Sequence, residues 1–157
     1  IMIKKIKDIV AKLKKKKINV SVAESCTGGM LSQNLTSVSG ASKIFTFGIV
    51  SYSNKSKIEC LNVPFQIIKK YGSVSEECCT SMLLNLAKIS KTKLSIAITG
   101  VAGPKGGTKR KPVGLVYIGI KINKIIKINK YLFKSKNRDT IRRNSVKKSL
   151  DLIARFI

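Results

Sequence analysis

Residues 18–38 read INVSVAESCTGGMLSQNLTSV. The first six, INVSVA, have the apolar, β-branched character of a short buried strand. Glu24-Ser25-Cys26-Thr27-Gly28-Gly29 follows, and then a run of helical character to about Val38. A strand, a small glycine-containing turn and a helix form the elementary unit of an α/β fold. The turn also has a chemical reading. The free N–H groups of a first helical turn and the helix dipole favour an anion there, phosphate or carboxylate. Ser25, Thr27, Gly28 and Gly29 are small enough to let a ligand approach the backbone. An ordinary βα loop with Ser or Thr as helix cap fits the same residues equally well. No G-K-[ST] follows, so this is not a Walker loop.

Upstream, residues 2–17 read as an amphipathic helix, with Ile3, Ile6, Val10 and Leu13 at helical spacing. The Lys14–Lys17 run sits at its end, where cations complement the dipole. Downstream, a Ser39-Gly40 turn introduces a second strand, Ile44–Tyr52. Ser53-Asn54 then leads into short helices at Asn54–Leu61 and Pro64–Tyr71, the second opened by Pro64 and closed by Gly72. Ser75 caps a longer helix through Ser90, and Glu76 and Glu77 favour its positive end. Met82, Leu83, Leu86 and Ile89 make that helix's inner face.

Lys93–Thr99 reads as a buried strand running into Gly100-Val101-Ala102-Gly103-Pro104-Lys105-Gly106-Gly107-Thr108. This is a second glycine-rich stretch at the carboxyl end of a strand, where open α/β sheets bind ligands. A plain hairpin connection is the alternative. Strands at Val113–Ile122 and Lys124–Phe133 follow. The lysines of the latter mark it as a sheet edge. Asn137 or Asp139 caps a last helix to about Phe156, with Ile141, Val146, Leu150 and Ile153 inward. The order α β α β α α α β β β α predicts an α/β fold, a three-layer α/β/α sandwich with a mixed β-sheet, as one domain over residues 1–157.

Composition narrows the chemistry. The chain has no histidine, which removes Ser-His-Asp and Cys-His catalysis and histidine metal sites together. A hydrolase built from this chain needs Lys, Tyr or a lone acid as its base, and Ser–Lys chemistry is a known variant of that logic. The four cysteines form no C-x-x-C pair, so neither a zinc site nor a disulfide framework is expected. The net charge of +25 points to anionic partners such as nucleic acid. A lysine-, isoleucine- and asparagine-rich coding bias produces the same surface with no partner at all. No apolar run approaches the ~18 residues of a membrane span. Lysines interrupt the N-terminal apolar residues, unlike a signal peptide. A cytoplasmic location without membrane association is therefore expected.

Five motifs come in one order: AESCTGG at 23–29, SGAS at 39–42, SYSNKSK at 51–57, GSVSEE at 72–77, and ITGVAGPKGGT with KPVG at 98–114. Together they resemble the CinA C-terminal domain family, whose stand-alone members include nicotinamide-nucleotide amidases. The resemblance covers roughly residues 5–155. It implies hydrolysis of the carboxamide of nicotinamide mononucleotide to nicotinate mononucleotide and ammonia, with no metal or cofactor. It also implies a Ser/Lys mechanism: Ser42 on the nucleophile position, Lys57 on the base, and Tyr52 and Thr99 on supporting polar positions. Where relatives often carry Gly-Ser-Ser, this chain has Gly40-Ala41-Ser42. The substrate phosphate is expected on the Ser25–Gly29 turn or near Arg138 or Arg142, and Gly100 and Gly103 are expected to line the site. A small nucleotide substrate and a homo-oligomer, at least a dimer, follow from the same resemblance. A basic, competence-related protein that binds nucleic acid without catalysis is the alternative reading.

Overall fold

The computed structural model describes residues 2–157. Its helices are α1 (Met2–Lys16), α2 (Met30–Leu35), α3 (Asn54–Leu61), α4 (Phe65–Tyr71), α5 (Glu76–Ser90) and α6 (Arg138–Phe156). Its strands are β1 (Val20–Glu24), β2 (Phe45–Val50), β3 (Leu94–Gly100), β4 (Leu115–Ile122) and β5 (Ile125–Leu132). A single 3₁₀ turn, Ala41–Lys43, precedes β2. The strands lie in the order β2-β1-β3-β4-β5. β2, β1 and β3 run parallel, while β4 and β5 add antiparallel, so the sheet is mixed. The order of elements is the one the periodicities predict.

The helices cover both faces of this sheet and complete the three layers. α1, α2 and α6 bury Ile6, Leu13, Leu31, Leu35, Ile141 and Leu150 with Val20, Val22, Ile96 and Ile98 in one core. α3, α4 and α5 bury Leu61, Ile68, Met82, Leu83 and Leu86 with Ala23 and Ala97 in the other. Successive strand residues point to opposite faces, so β1 and β3 give β-branched residues to the first core and small ones to the second. Ser21, Ala23, Ser95 and Ala97 let α5 lie close against the strands. Ser21 and Ser95 satisfy each other there, 3.0 Å apart.

Several boundaries differ from the expectations, each for a local reason. α2 ends at Leu35 rather than near Val38. The hydroxyls of Thr36 and Ser37 bond back to the Ser32 and Asn34 carbonyls, at 2.8 and 2.7 Å, and compete with further helix. Ile3 and Ile89 are exposed, whereas Ile9 and the adjacent free Cys78 and Cys79 are buried. β5 is a sheet edge, as its lysines indicate. Asn137 caps α6 by accepting from the Thr140 N–H at 2.9 Å. No helix among the described residues is long and apolar enough to cross a membrane.

Candidate active site

The carboxyl ends of the parallel strands β2, β1 and β3 meet at one pole of the sheet. There Ser25, Tyr52, Lys57, Thr99, Gly100 and Arg138 line a cavity of about 130 Å³, together with Cys26, Ser73, Val74 and Ala102. Its centre is Lys57, which is 1% exposed. The residue arrives there because α3 starts abruptly. Ser53 and Ser56 form a reciprocal capping box, with Ser56 N–H donating to Ser53 Oγ at 3.0 Å and Ser53 N–H to Ser56 Oγ at 3.1 Å. One turn in, Lys57 and Leu61 form the inward stripe of α3.

Lys57 Nζ makes three contacts: Ser25 Oγ at 2.9 Å, the Ser51 carbonyl at 2.9 Å and the Tyr52 carbonyl at 3.1 Å. No carboxylate stands within ion-pair distance of it among the described residues. Burial holds its pKa below the ordinary lysine value, with Cys78 and then Cys26 acting in the opposite sense. Burial raises the pKa of both thiols, pushing Cys26 up to about 12, so they stay protonated and uncharged at neutral pH. As placed, Nζ donates to Ser25 Oγ as well as to the two carbonyls, and Ser25 Oγ donates to the Tyr52 carbonyl at 3.4 Å. A neutral amine has two N–H donors and one lone pair. In that form the two carbonyls keep both donors and the lone pair can turn to the Ser25 hydroxyl.

Ser25 directly follows β1. Its N–H donates to the Ile98 carbonyl at 3.0 Å, which ties it to β3. The preceding residue, Glu24, points to the other face and is fully buried. Its carboxylate accepts from Thr27 Oγ1 at 2.6 Å, the Leu31 N–H at 2.8 Å, the Ser32 N–H at 2.9 Å and Ser32 Oγ at 2.7 Å. The protein's own carboxylate therefore occupies the start of α2, where an anionic ligand was expected. Thr27 is part of that cap and lies outside the cavity lining. Gly28 and Gly29 have φ of +57° and +98°, a left-handed backbone that favours glycine. Arg142 braces the same turn from outside, donating to the Cys26 and Thr27 carbonyls at 3.1 and 3.0 Å. The turn Ser25–Gly29 thus mounts Ser25, with the Leu31 and Ser32 N–H groups at the start of α2 already held by Glu24.

Ser42 requires correction. It lies exposed in the 3₁₀ turn before β2, next to Ile44, whose carbonyl accepts from the N–H at the start of β1. Lys57 follows the far end of β2. Six strand residues at about 3.3 Å each separate the two by roughly 20 Å. No bend brings them together, so the Ser42–Lys57 pair does not form. Lys57 faces Ser25 instead.

The other expected residues fall around this centre. Thr99 Oγ1 donates to the Ser73 carbonyl at 2.7 Å, joining two residues of the cavity lining. Gly100 lies where an added Cβ would come within 2.7 Å of Val116. Arg138, the first residue of α6, is exposed at the lip. It donates to the Gly103 carbonyl and to the Tyr52 hydroxyl, each at 2.7 Å. Gly103 contributes that carbonyl from outside the lining. Sequence reasoning missed Glu24, Ser73 and the pairing role of Ser25. The available signal was that Ser25 and Lys57 both follow the carboxyl ends of predicted strands, which meet at one pole if those strands are parallel neighbours.

A lysine–serine pair at the carboxyl ends of parallel strands, in a three-layer α/β/α domain, defines the class of molecule. The chain belongs to the CinA C-terminal domain family, whose sequence profile matches residues 3–157. It is 46% identical over 153 residues to a competence-damage inducible protein of Alkaliphilus oremlandii, covering 97% of this chain and 37% of that protein. It is 48% identical over 140 residues to a CinA-like protein of Prochlorococcus marinus, covering 88% of this chain and 32% of that one. It thus spans about a third of the length of these curated relatives. The competence/damage inducible protein CihA of Agrobacterium tumefaciens superposes with a TM-score of 0.94 at 30% identity, covering 98% of this chain and 93% of that one. A CinA superfamily protein of Escherichia coli superposes at 0.95 with 25% identity, covering 100% and 91%.

Proposed function

We propose that this chain is an amidohydrolase that acts on the carboxamide of nicotinamide mononucleotide, with Ser25 as nucleophile and Lys57 as base. The observation that carries the reading is the 2.9 Å contact between Lys57 Nζ and Ser25 Oγ, made while two carbonyls occupy the other sides of the nitrogen. Family membership supplies the carboxamide substrate class as an expectation.

The reaction runs in two halves. Neutral Lys57 takes the Ser25 proton as Oγ attacks the amide carbon. The tetrahedral intermediate collapses with cleavage of the C–N bond, and the Lys57 ammonium gives its proton to the departing nitrogen, which leaves as ammonia. Water then attacks the acyl ester and passes a proton to Lys57. The C–Oγ bond breaks, Ser25 regains its proton, and the carboxylate product leaves. The same nitrogen serves as base and acid in turn, so no histidine is required. Arg138 places a guanidinium at the lip, where it suits the substrate phosphate. The small cavity takes the carboxamide end of the substrate, and the ribose phosphate extends past Arg138.

The test is ammonia release from nicotinamide mononucleotide by the purified chain, with nicotinate mononucleotide measured in parallel. Equal amounts of both products are expected. Folded protein that releases neither would overturn the substrate assignment. Release that persists undiminished in Lys57→Met would overturn the base assignment.

A further inference from the structure

One motif plays no part in the Ser25–Lys57 chemistry: Lys111 of KPVG, in the long connection between β3 and β4. Its backbone is fixed by a tight turn. Thr108 N–H donates to the Lys111 carbonyl at 2.8 Å, and Lys111 N–H donates to Thr108 Oγ1 at 3.0 Å. From that root the side chain crosses to the segment joining α4 to α5. Its Nζ donates to the Tyr71 carbonyl at 3.1 Å and to the Val74 carbonyl. Among the described residues it has no carboxylate partner. The ammonium is committed to backbone.

The segment it grips forms one wall of the cavity, through Ser73 and Val74. Four consecutive carbonyls there each accept from a side chain. Lys111 holds those of Tyr71 and Val74, Ser75 Oγ holds that of Gly72 at 2.8 Å, and Thr99 Oγ1 holds that of Ser73 at 2.7 Å. A four-residue linker without regular structure has no ladder of its own, so its position rests on these donors. Lys111 spans both ends of it. We infer that Lys111 is a positioning residue: it holds the Ser73–Val74 wall at the distance from Ser25 that fits the substrate's carboxamide end, without touching the reacting atoms. A change in substrate fit with the chemistry left intact is the signature of such a role.

The inference rests on the amidase reading, so its test has one arm that needs no turnover. In the full chain, Lys111→Met should raise amide hydrogen exchange across residues 72–75 by about 10-fold or more, with β1 and β3 unchanged. In ammonia release from nicotinamide mononucleotide, the same variant should raise KM about 10-fold or more and leave kcat within about 3-fold. Lys111→Arg keeps a charged donor and should recover most of both. Unchanged exchange at 72–75 in Lys111→Met, or wild-type KM in an active Met variant, would overturn the role. A Met variant that unfolds, with Lys111→Arg behaving as wild type in exchange, supports the anchoring. If wild type releases no ammonia, the amidase reading fails, and the exchange arm still decides whether Lys111 holds the wall.

Discussion

Ser25 and Ser42 look alike in the sequence and meet opposite ends in the fold. Each is a small residue within two or three positions of a glycine, in a turn beside a strand of the same parallel sheet. Ser25 follows the carboxyl end of β1, is buried, and stands 2.9 Å from a buried lysine amine. Ser42 precedes β2, is exposed, and lies beside the start of the parallel strands. The contrast teaches that the pole of the sheet, and not the local motif, decides which serine meets the buried lysine. A parallel strand gathers side chains from distant sequence at its carboxyl end. It carries residues at its two ends about 20 Å apart however close they are in sequence.

The contrast breaks most directly at Ser25. Ser25→Ala removes the proposed nucleophile, and turnover of nicotinamide mononucleotide should fall by about 10³-fold or more in steady-state ammonia release. The alanine variant should keep its circular dichroism spectrum. Lys57→Met comes next, with a loss of about 10²- to 10⁴-fold in kcat, typical of a general base. It replaces a buried amine that has no carboxylate partner among the described residues with an apolar chain of similar length, so thermal stability should hold or rise.

The pH profile sharpens the same point. Burial disfavours the Lys57 ammonium, so its pKa lies below the ordinary lysine value and neutral amine forms at lower pH than for a free lysine. The proposed base acts only in its neutral form. kcat/KM should therefore rise with pH through that lowered pKa, and the rising limb should be missing from whatever activity Lys57→Met retains. A rising limb at the ordinary lysine pKa would contradict the role given to burial.

Glu24→Gln probes the mount and not the chemistry. The carboxylate accepts four hydrogen bonds. An amide nitrogen in place of one oxygen turns a donor toward donors, at a cost of about 1–3 kcal/mol in denaturant-induced unfolding. The smallest effect is expected at Ser42. Ser42→Ala changes an exposed hydroxyl, and stability should stay within about 0.5 kcal/mol of wild type.

The elements were legible because they have strong periods and clear ends. Ser75 caps its helix where the sequence puts it, Asn137 rather than Asp139 caps α6, Ser53, read as a turn residue, caps α3, and the lysines of β5 marked an edge. The site was half legible. Its residues Ser25, Tyr52, Lys57, Thr99, Gly100 and Arg138 were all candidates, but the pairing among them was not. Which serine meets Lys57 depends on β1 and β2 being parallel neighbours, a contact between residues 32 positions apart. No local pattern encodes it. Glu24 was hidden for a related reason. As one acid in a polar turn it resembles a solvated side chain, and only the fold shows that α2 begins on top of it. The loop from Val101 to Gly114 announced itself by its glycines, yet Lys111 reaches back across it to Tyr71 and Val74, 40 and 37 positions away.

The most direct test places the two serines side by side. Ammonia release from nicotinamide mononucleotide is measured for wild type, Ser25→Ala and Ser42→Ala at equal concentrations of folded protein. The expected result is wild-type release in Ser42→Ala and release at the blank level in Ser25→Ala. Release that survives in Ser25→Ala and disappears in Ser42→Ala would contradict the pairing of Ser25 with Lys57 as the reacting centre.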